Sequence, residues 1–597
     1  VKTLQVLAIL FSLSFAAAFA ADTVVYVNGD VLTIDESNSV AEALAVRDGN
    51  ILAVGSRDEV MKAAGAEAEV RDLGGKTLMP GFFDAHSHLF TTALARATND
   101  LNPPPMGTVD SIAKLEEVLL SYKEENNLKP GQWILGMNYD DTSLEEMRHP
   151  TRNDLDAIST ENPILIVHIS GHLAVANSPA LEIAGINSET IDPPGGKYVR
   201  RPNSNEPNGV MEEPNAFLPV VAHLPAPAPE VAKRYVIDTL IYDYAANGMT
   251  TAQEGALLAP FYGLLRGMAA EEKLPVDVLV LPKADTAMMA NYEEDKVYHN
   301  GLRIAGLKLL FDGSNQGYTG YLSQPYYVAP AAGEALTEDM CDSEGLERIL
   351  LDVSAEAHDD ETPFEAPAGE EGYRGWPIYE DQEEADALVE QALKNGWHLA
   401  VHCNGDAAID QYIEAMRKGL AKYPVDDHRY VIIHAQTIRD DQLDAAKELG
   451  LSPSFFPGHI YYWGDRHRDI FMGPERAARM NPMRSALDRG VPFSIHHDAY
   501  VTPPSVIDVV AFAVNRVTSS GEPLGTEQEL TVEQALRAVT IDAAWQYGEE
   551  DSKGSLEAGK LADLIILSAN PLEVDKTAIR DIRVLETIKE GKTIYTR

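Results

Sequence analysis

Eight short apolar runs, each ending in polar residues, constrain this chain more than any other feature. They fall at residues 82–88, 249–255, 277–282, 306–314, 397–406, 430–436, 451–459 and 491–498, with helical patterns such as 381–395, 440–449 and 473–489 between them. Strand-like runs that alternate with helical stretches predict βα units and a parallel sheet. Eight such units make a (β/α)8 TIM barrel, an α/β fold whose functional residues sit at the C-terminal ends of the strands. The barrel is expected to span residues 81–545. Residues 101–245 do not fit the count: "QWILGMNYD" and "NPILIVHIS" read as further strands, and a Pro/Asn/Gly loop follows at 192–209. They are expected to form a subdomain inserted between the first two units. Residues 21–80 and 546–597 carry alternating strands with turn residues at Asn28-Gly29-Asp30, Asp48-Gly49-Asn50, Gly559 and Gly591. Asn-Gly and Asp-Gly are hairpin signals, and two β-rich ends predict one small β-sandwich domain built from both termini.

The polar strand ends carry the chemistry. Unit one supplies His86 and His88, unit four Lys308, unit five His402, unit six His434 and unit eight Asp498. Residues two apart on a strand point to one face, so "DAHSH" projects two imidazoles together. Four imidazoles and a carboxylate at one mouth make a metal site with nitrogen and oxygen ligands. Lys308 lies within the apolar run "AGLKLLFDGS", where a charged ammonium is costly. Reaction with carbon dioxide would convert it to a carbamate able to bridge two cations. The alternatives are pairing with Asp312 or a depressed pKa.

Charge narrows the partners. With 93 acidic and 48 basic residues among 597, the formal net charge is −45, which repels nucleic acid and anionic lipid. Residues 1–20 have the layout of a signal peptide: Lys2, an apolar run, then Ala18-Phe19-Ala20. Cleavage after Ala20 and export to a bacterial periplasm or beyond are expected, with no membrane contact afterwards. Cys341 and Cys403 read as two partly buried free thiols in preference to a disulfide. The acidic stretch 328–378 reads as a solvated loop or lid.

From about residue 23 to 597 the chain resembles the amidohydrolase superfamily, and most closely amidohydrolase family 3, which includes N-substituted formamide deformylases. The resemblance rests on "PGFFDAHSH", "SGHLAVANSPAL", "NGVMEE", "GLKLLFDGS", "VHCNGDAA", "IIHAQ", "HHDAYVTPP" and "GSLEAGKLADLIIL". It implies one or two divalent metals per chain, with zinc the first choice and manganese, iron or nickel permitted by the ligand set. His86, His88 and Asp498 would hold one ion and His402 and His434 the other, with carbamylated Lys308 between them. The implied reaction is hydrolysis of a C–N bond in an amide, N-formyl or cyclic amide substrate. A metal-bound hydroxide attacks, and Asp498 shuttles the proton. The same site would serve a deaminase or an ester or lactone hydrolase, and a catalytically silent small-molecule binder is a further alternative. The resemblance also places His172 and His459 at the pocket and permits a homodimer. Two departures stand out. Relatives often carry Gly-Ser where this chain has His496-His497, and a glutamate where it has Ile433. Alternation from Asp498 puts His496, not His497, on the pocket face, where it is expected to contact substrate or a metal-bound oxygen. Tyr461, Tyr462 and Trp463 are expected as an apolar wall or as core, and Asp406 as an orienting residue away from the metal.

Overall fold

The computed structural model describes residues 23–225, 227–257, 259–284, 286–290, 292–328 and 372–597. The expectations for the leader at 1–20, for Cys341 and for most of 328–378 lie outside these residues. Cys403 is fully buried at the end of its strand. Among the described residues no helix is long and apolar enough to cross a membrane.

All eight units are found in parallel order. Phe82–Phe83, Met249–Leu257, Asp277–Pro282 and Leu302–Ile304 pair in one sheet. Leu307–Leu310, Leu399–Cys403, Val431–His434, Ser452–Phe455 and Ser494–Ile495 pair in a second. Unit four is thus split in two, and it joins the sheets where Ala284 N donates to Lys308 O at 2.8 Å. The barrel closes between units eight and one, where His88 N donates to Ala499 O at 2.6 Å and Asp498 N to His86 O at 3.3 Å. Strands such as Leu399–Cys403 are buried at every position, as a parallel strand covered on both faces must be. Amphipathic helices such as Gln382–Asn395 cover them, this one capped by the Asp381 side chain and ended by Gly396 at φ 66°.

Both termini contribute to one mixed eight-stranded sheet. Thr77–Pro80 is its seam, pairing in parallel with Thr23–Leu32 and antiparallel with Leu564–Leu567. Asp48-Gly49 and Glu590-Gly591 form two-residue hairpin turns with both residues at positive φ, the conformation of type I′ turns. Asn28-Gly29-Asp30 is different. Thr23–Leu32 runs straight through it, with a register shift between Val27 and Val31. A side chain on Gly29 would meet Lys76 O at 2.2 Å, so the glycine admits a neighbouring backbone and makes a bulge where a hairpin was expected.

Between units one and two lies a six-stranded sheet. Within it Ile134–Tyr139 and Ile164–His168 pair in parallel, and separate apolar clusters cover its two faces. It is fastened to the barrel by Asp140, whose Oδ2 accepts from Trp463 Nε1 and from Arg466, both at 2.9 Å. Tyr461, Tyr462 and Trp463 are accordingly packing residues: Tyr461 stacks on Phe512, and Trp463 is buried.

Candidate metal centre

His86 and His88 lie beyond a strand only two residues long, so simple alternation does not aim them. His88 instead stands at the residue before the helix Leu89–Ala95, with its side chain left out of any capping bond. The turn between them is set by Ser87, which bonds Asp84 and, at 2.7 Å, the Tyr244 hydroxyl. The two rings end 5.0 Å apart. Gln253 then fixes the proton on His86. Its amide NH2 donates to Ala85 O at 2.8 Å, which leaves Oε1 to accept from His86 Nδ1 at 2.8 Å. Nε2 therefore presents a lone pair to the mouth. Gly255 is needed for this pose, since a Cβ there would lie 2.4 Å from His86 Cε1.

Asp498 sits three residues past its strand at φ 53°, in the left-handed region. Its Oδ1 is buried without a hydrogen-bond partner among the described residues, although His88 Nε2 stands 3.4 Å and His86 Nε2 3.7 Å away. Oδ2 lies 3.9 Å from His434 Nε2. Burial opposes ionisation here, but the His88 and His86 imidazoles outweigh it and hold the carboxyl well below the usual range. His434 and Ala435 are also left-handed, at φ 70° and 47°. Such conformations cost about 1–3 kcal/mol and cluster at functional sites.

Lys308 meets His86, not Asp312: Nζ lies 2.9 Å from His86 Nε2. Burial pushes the ammonium down to about 7, against the pull of Asp498. Asp312 serves His402, with Oδ1 3.1 Å from Nδ1, and accepts from the backbone N–H of Asn404, Gly405 and Tyr321. Burial nevertheless pushes Asp312 up to about 7. The rings of His86, His402 and His434 are held far below the ordinary imidazole value, in each case first by burial. They are neutral lone-pair donors at physiological pH.

Two donor sets converge within 4.8 Å: His86, His88 and Asp498, and His434, His496 and Asp498. His402 lies outside both, its ring 4.7 Å from that of His434. A buried carboxylate oxygen with no aligned donor, facing the lone pair of His86 Nε2, is a mismatch that a cation resolves. The residues present therefore fit a divalent metal. A third set, Asp140, Asp141 and His168, does not. His168 Nδ1 accepts from Ser170 N at 3.2 Å, so its proton sits on Nε2, facing Asp141 Oδ1 at 3.0 Å.

His172 arrives from the inserted sheet. Its Nδ1 bonds Glu213 at 2.6 Å, and its ring lies 4.9 Å from His402. Burial disfavours its charge, but Glu213 outweighs burial and raises it. His459 is buried 5.9 Å from the His434 ring, and burial pushes it down to about 3. His496 departs from its expected role. Nε2 lies 3.1 Å from His434 Nδ1 and Nδ1 2.9 Å from Ser454 Oγ, so both nitrogens are engaged inside the protein and neither is left for substrate. His497 turns away to Asp84, at 3.4 Å. Asp406 bonds Ser323 and pairs with Arg439, clear of the metal candidates. Sequence reasoning missed Gln253, Glu213 and Ser454. Gln253 and Ser454 are polar residues inside apolar runs, the only signal available for them, whereas Glu213 closes the motif "NGVMEE".

A model of the amidohydrolase family matches residues 69–595. The chain belongs to the amidohydrolase family. It is 30% identical to the N-substituted formamide deformylase of Arthrobacter pascens, over 96% of this chain and 98% of that one. A putative amidohydrolase of Bacillus subtilis is 25% identical over 95% and 98%. Among solved structures, an uncharacterized metal-dependent hydrolase from Pyrococcus horikoshii superposes with TM-score 0.67 at 23% identity, covering 93% of this chain and 99% of its own. That likeness is one of fold: the barrel and the sheet built from both termini.

Proposed function

We propose that this amidohydrolase hydrolyses a C–N bond in a small amide, with zinc held by His86, His88 and Asp498 and a second ion beside His402 and His434. The observation that carries the reading is the partnerless Oδ1 of Asp498, buried among imidazoles at the barrel mouth. A divalent cation bound there supplies Lewis acidity to a carbonyl and acidifies water. Asp498, kept ionised, takes a proton from the attacking water on the carboxylate oxygen that does not hold the cation and returns it to the leaving nitrogen. His172, fixed by Glu213, reaches over His402 and contacts the bound amide.

Lys308 completes the site as a carbamate. A neutral amine adds carbon dioxide and releases one proton, and burial favours the neutral amine. The new anion would stand beside His86, where the free amine offers no negative charge. A carbon-13 signal from labelled bicarbonate, present in the wild type and absent in Lys308→Ala, tests this step.

The name of the Arthrobacter relative makes N-substituted formamides the first substrates to try, followed by N-acyl and cyclic amides. Zinc-loaded protein is expected to turn over at least one of them. Asp498→Asn should lower that rate at least about 100-fold, within the range of acid–base contributions, with an unchanged circular dichroism spectrum. Undiminished turnover in that variant would remove Asp498 from the proton pathway.

A further inference from the structure

The hydrogen bonds behind His434 run back through the barrel wall to Gln546, and their direction can be worked out from the far end. The Gln546 NH2 lies 2.9 Å from Pro453 O and 2.6 Å from Ser452 Oγ. Pro453 O can only accept, and the Ser452 hydroxyl spends its proton on Pro492 O at 2.9 Å. The amide therefore cannot be flipped, and its Oε1 faces Ser494 Oγ at 2.5 Å as an acceptor. Ser494 has one proton and gives it to Gln546. The Ser494 hydroxyl is aimed at Ser454 Oγ, 2.8 Å away, as well as at Gln546 Oε1; one proton cannot serve both, and because Gln546 Oε1 has no other donor among the described residues, the contact between the two serines is carried by the Ser454 proton. Having spent its own proton, Ser454 accepts from His496 Nδ1 at 2.9 Å. His496 Nε2 is left with a lone pair, and it accepts from His434 Nδ1 at 3.1 Å. Every member of the chain is at least nine-tenths buried, with Gln546 1% and Ser454 and Ser494 0% exposed. Water has little access to reverse it.

We propose that His496 is a positioning residue for His434: the one-way relay from Gln546 through Ser494, Ser454 and His496 fixes the His434 proton on Nδ1 and so keeps Nε2 bare for metal. The proposal rests on the metal reading of the site. It adds that this ligand is oriented by a neutral imidazole, whereas His402 is oriented by the carboxylate Asp312 and His86 by the amide of Gln253. A neutral acceptor withdraws less proton density than a carboxylate. The relay thus orients His434 without making it a stronger base.

Two measurements test the relay. The first is zinc affinity, by competition with a chromophoric chelator, in wild type, His496→Phe, Ser454→Ala and His496→Gln. Loss of such a partner costs about 10–100-fold in metal affinity. His496→Phe should show a loss of that size, Ser454→Ala a smaller one, and His496→Gln should recover most of the affinity because its amide oxygen can again accept from Nδ1. The second is nitrogen-15 NMR of histidine-labelled, metal-free protein, which reads which ring nitrogen carries the proton. Wild type should show His434 protonated on Nδ1 and His496 also on Nδ1, with His434 becoming a tautomer mixture in the variants. Unchanged zinc affinity in folded His496→Phe, or a wild-type His434 protonated on Nε2, overturns the proposal. Should His496→Phe fail to fold, the wild-type spectrum and Ser454→Ala still decide. If the wild type shows the expected tautomers yet binds no zinc, the metal reading fails and the relay stands.

Discussion

At the residue scale the site is a set of buried groups whose protons are fixed by second partners, and most of those partners were invisible in the sequence. The pair in "DAHSH" was legible because both histidines sit in one short run. Gln253 was not, because its meaning depends on an amide that reaches across strands to His86 and Ala85. Glu254, next to it, makes a separate point. It is 2% exposed, accepts from Phe90 N, and burial pushes its carboxyl up to about 8 from an ordinary 4.5. Because its folded pKa is the higher, the folded state holds this proton more tightly than the unfolded chain does. The resulting stability is complete below about pH 4.5 and is lost as pH rises through about 8. The melting temperature of chelator-treated protein should therefore fall across that window, and Glu254→Gln should flatten the fall. Parallel profiles for the two proteins would show that Glu254 does not titrate there.

At the element scale, strand identity was legible and strand length was not. The first run was expected as a strand over residues 82–88, but pairing ends at Phe83. The last run yields only Ser494–Ile495. Beyond these points tertiary bonds aim the side chains, and a sequence window holds no information about them. The inserted sheet has the same character. Its strands Ile134–Tyr139 and Ile164–His168 were readable as apolar runs, whereas its attachment was not. That attachment is Asp140, 1% exposed, which takes donors from both Trp463 and Arg466. Asp140→Ala would leave the buried Trp463 indole N–H unpaired and remove one partner of Arg466, which keeps Thr142, Ser143 and Tyr462 O, a loss of about 1–3 kcal/mol for the orphaned donor. Amide exchange in residues 134–168 should quicken, and KM should rise more than kcat falls because His172 comes from this sheet. Unaltered exchange would place the attachment elsewhere.

At the scale of the whole molecule, the eightfold alternation revealed the barrel, and the two β-rich ends revealed a shared terminal domain. What joins them was not readable, because it is a buried ion cluster drawn from three distant segments. Lys553 Nζ lies 2.8 Å from Asp277 and 2.7 Å from Glu549, while Lys589 Nζ lies 2.8 Å from both Asp277 and Asp563. Asp277 opens the third barrel strand, and Lys589 ends the terminal-sheet strand Val584–Lys589. The cluster therefore sits at the end of the barrel opposite the histidines. Burial disfavours each charge, yet the opposite charges outweigh it, holding Asp277 below and Lys553 above its ordinary value. Lys553→Met would leave Asp277 to Lys589 alone and Glu549 to Arg303 and Tyr298. The expected cost is about 3–5 kcal/mol, read as a lower urea midpoint. If the cluster makes barrel and terminal sheet one cooperative unit, wild type should unfold in a single transition and the variant in two, the terminal sheet first. Metal content of the folded variant should match wild type, since the substitution lies at the end of the barrel away from the mouth. A single transition at the wild-type midpoint would mean that the apolar seam along Thr77–Pro80 holds the two parts together without help from these charges.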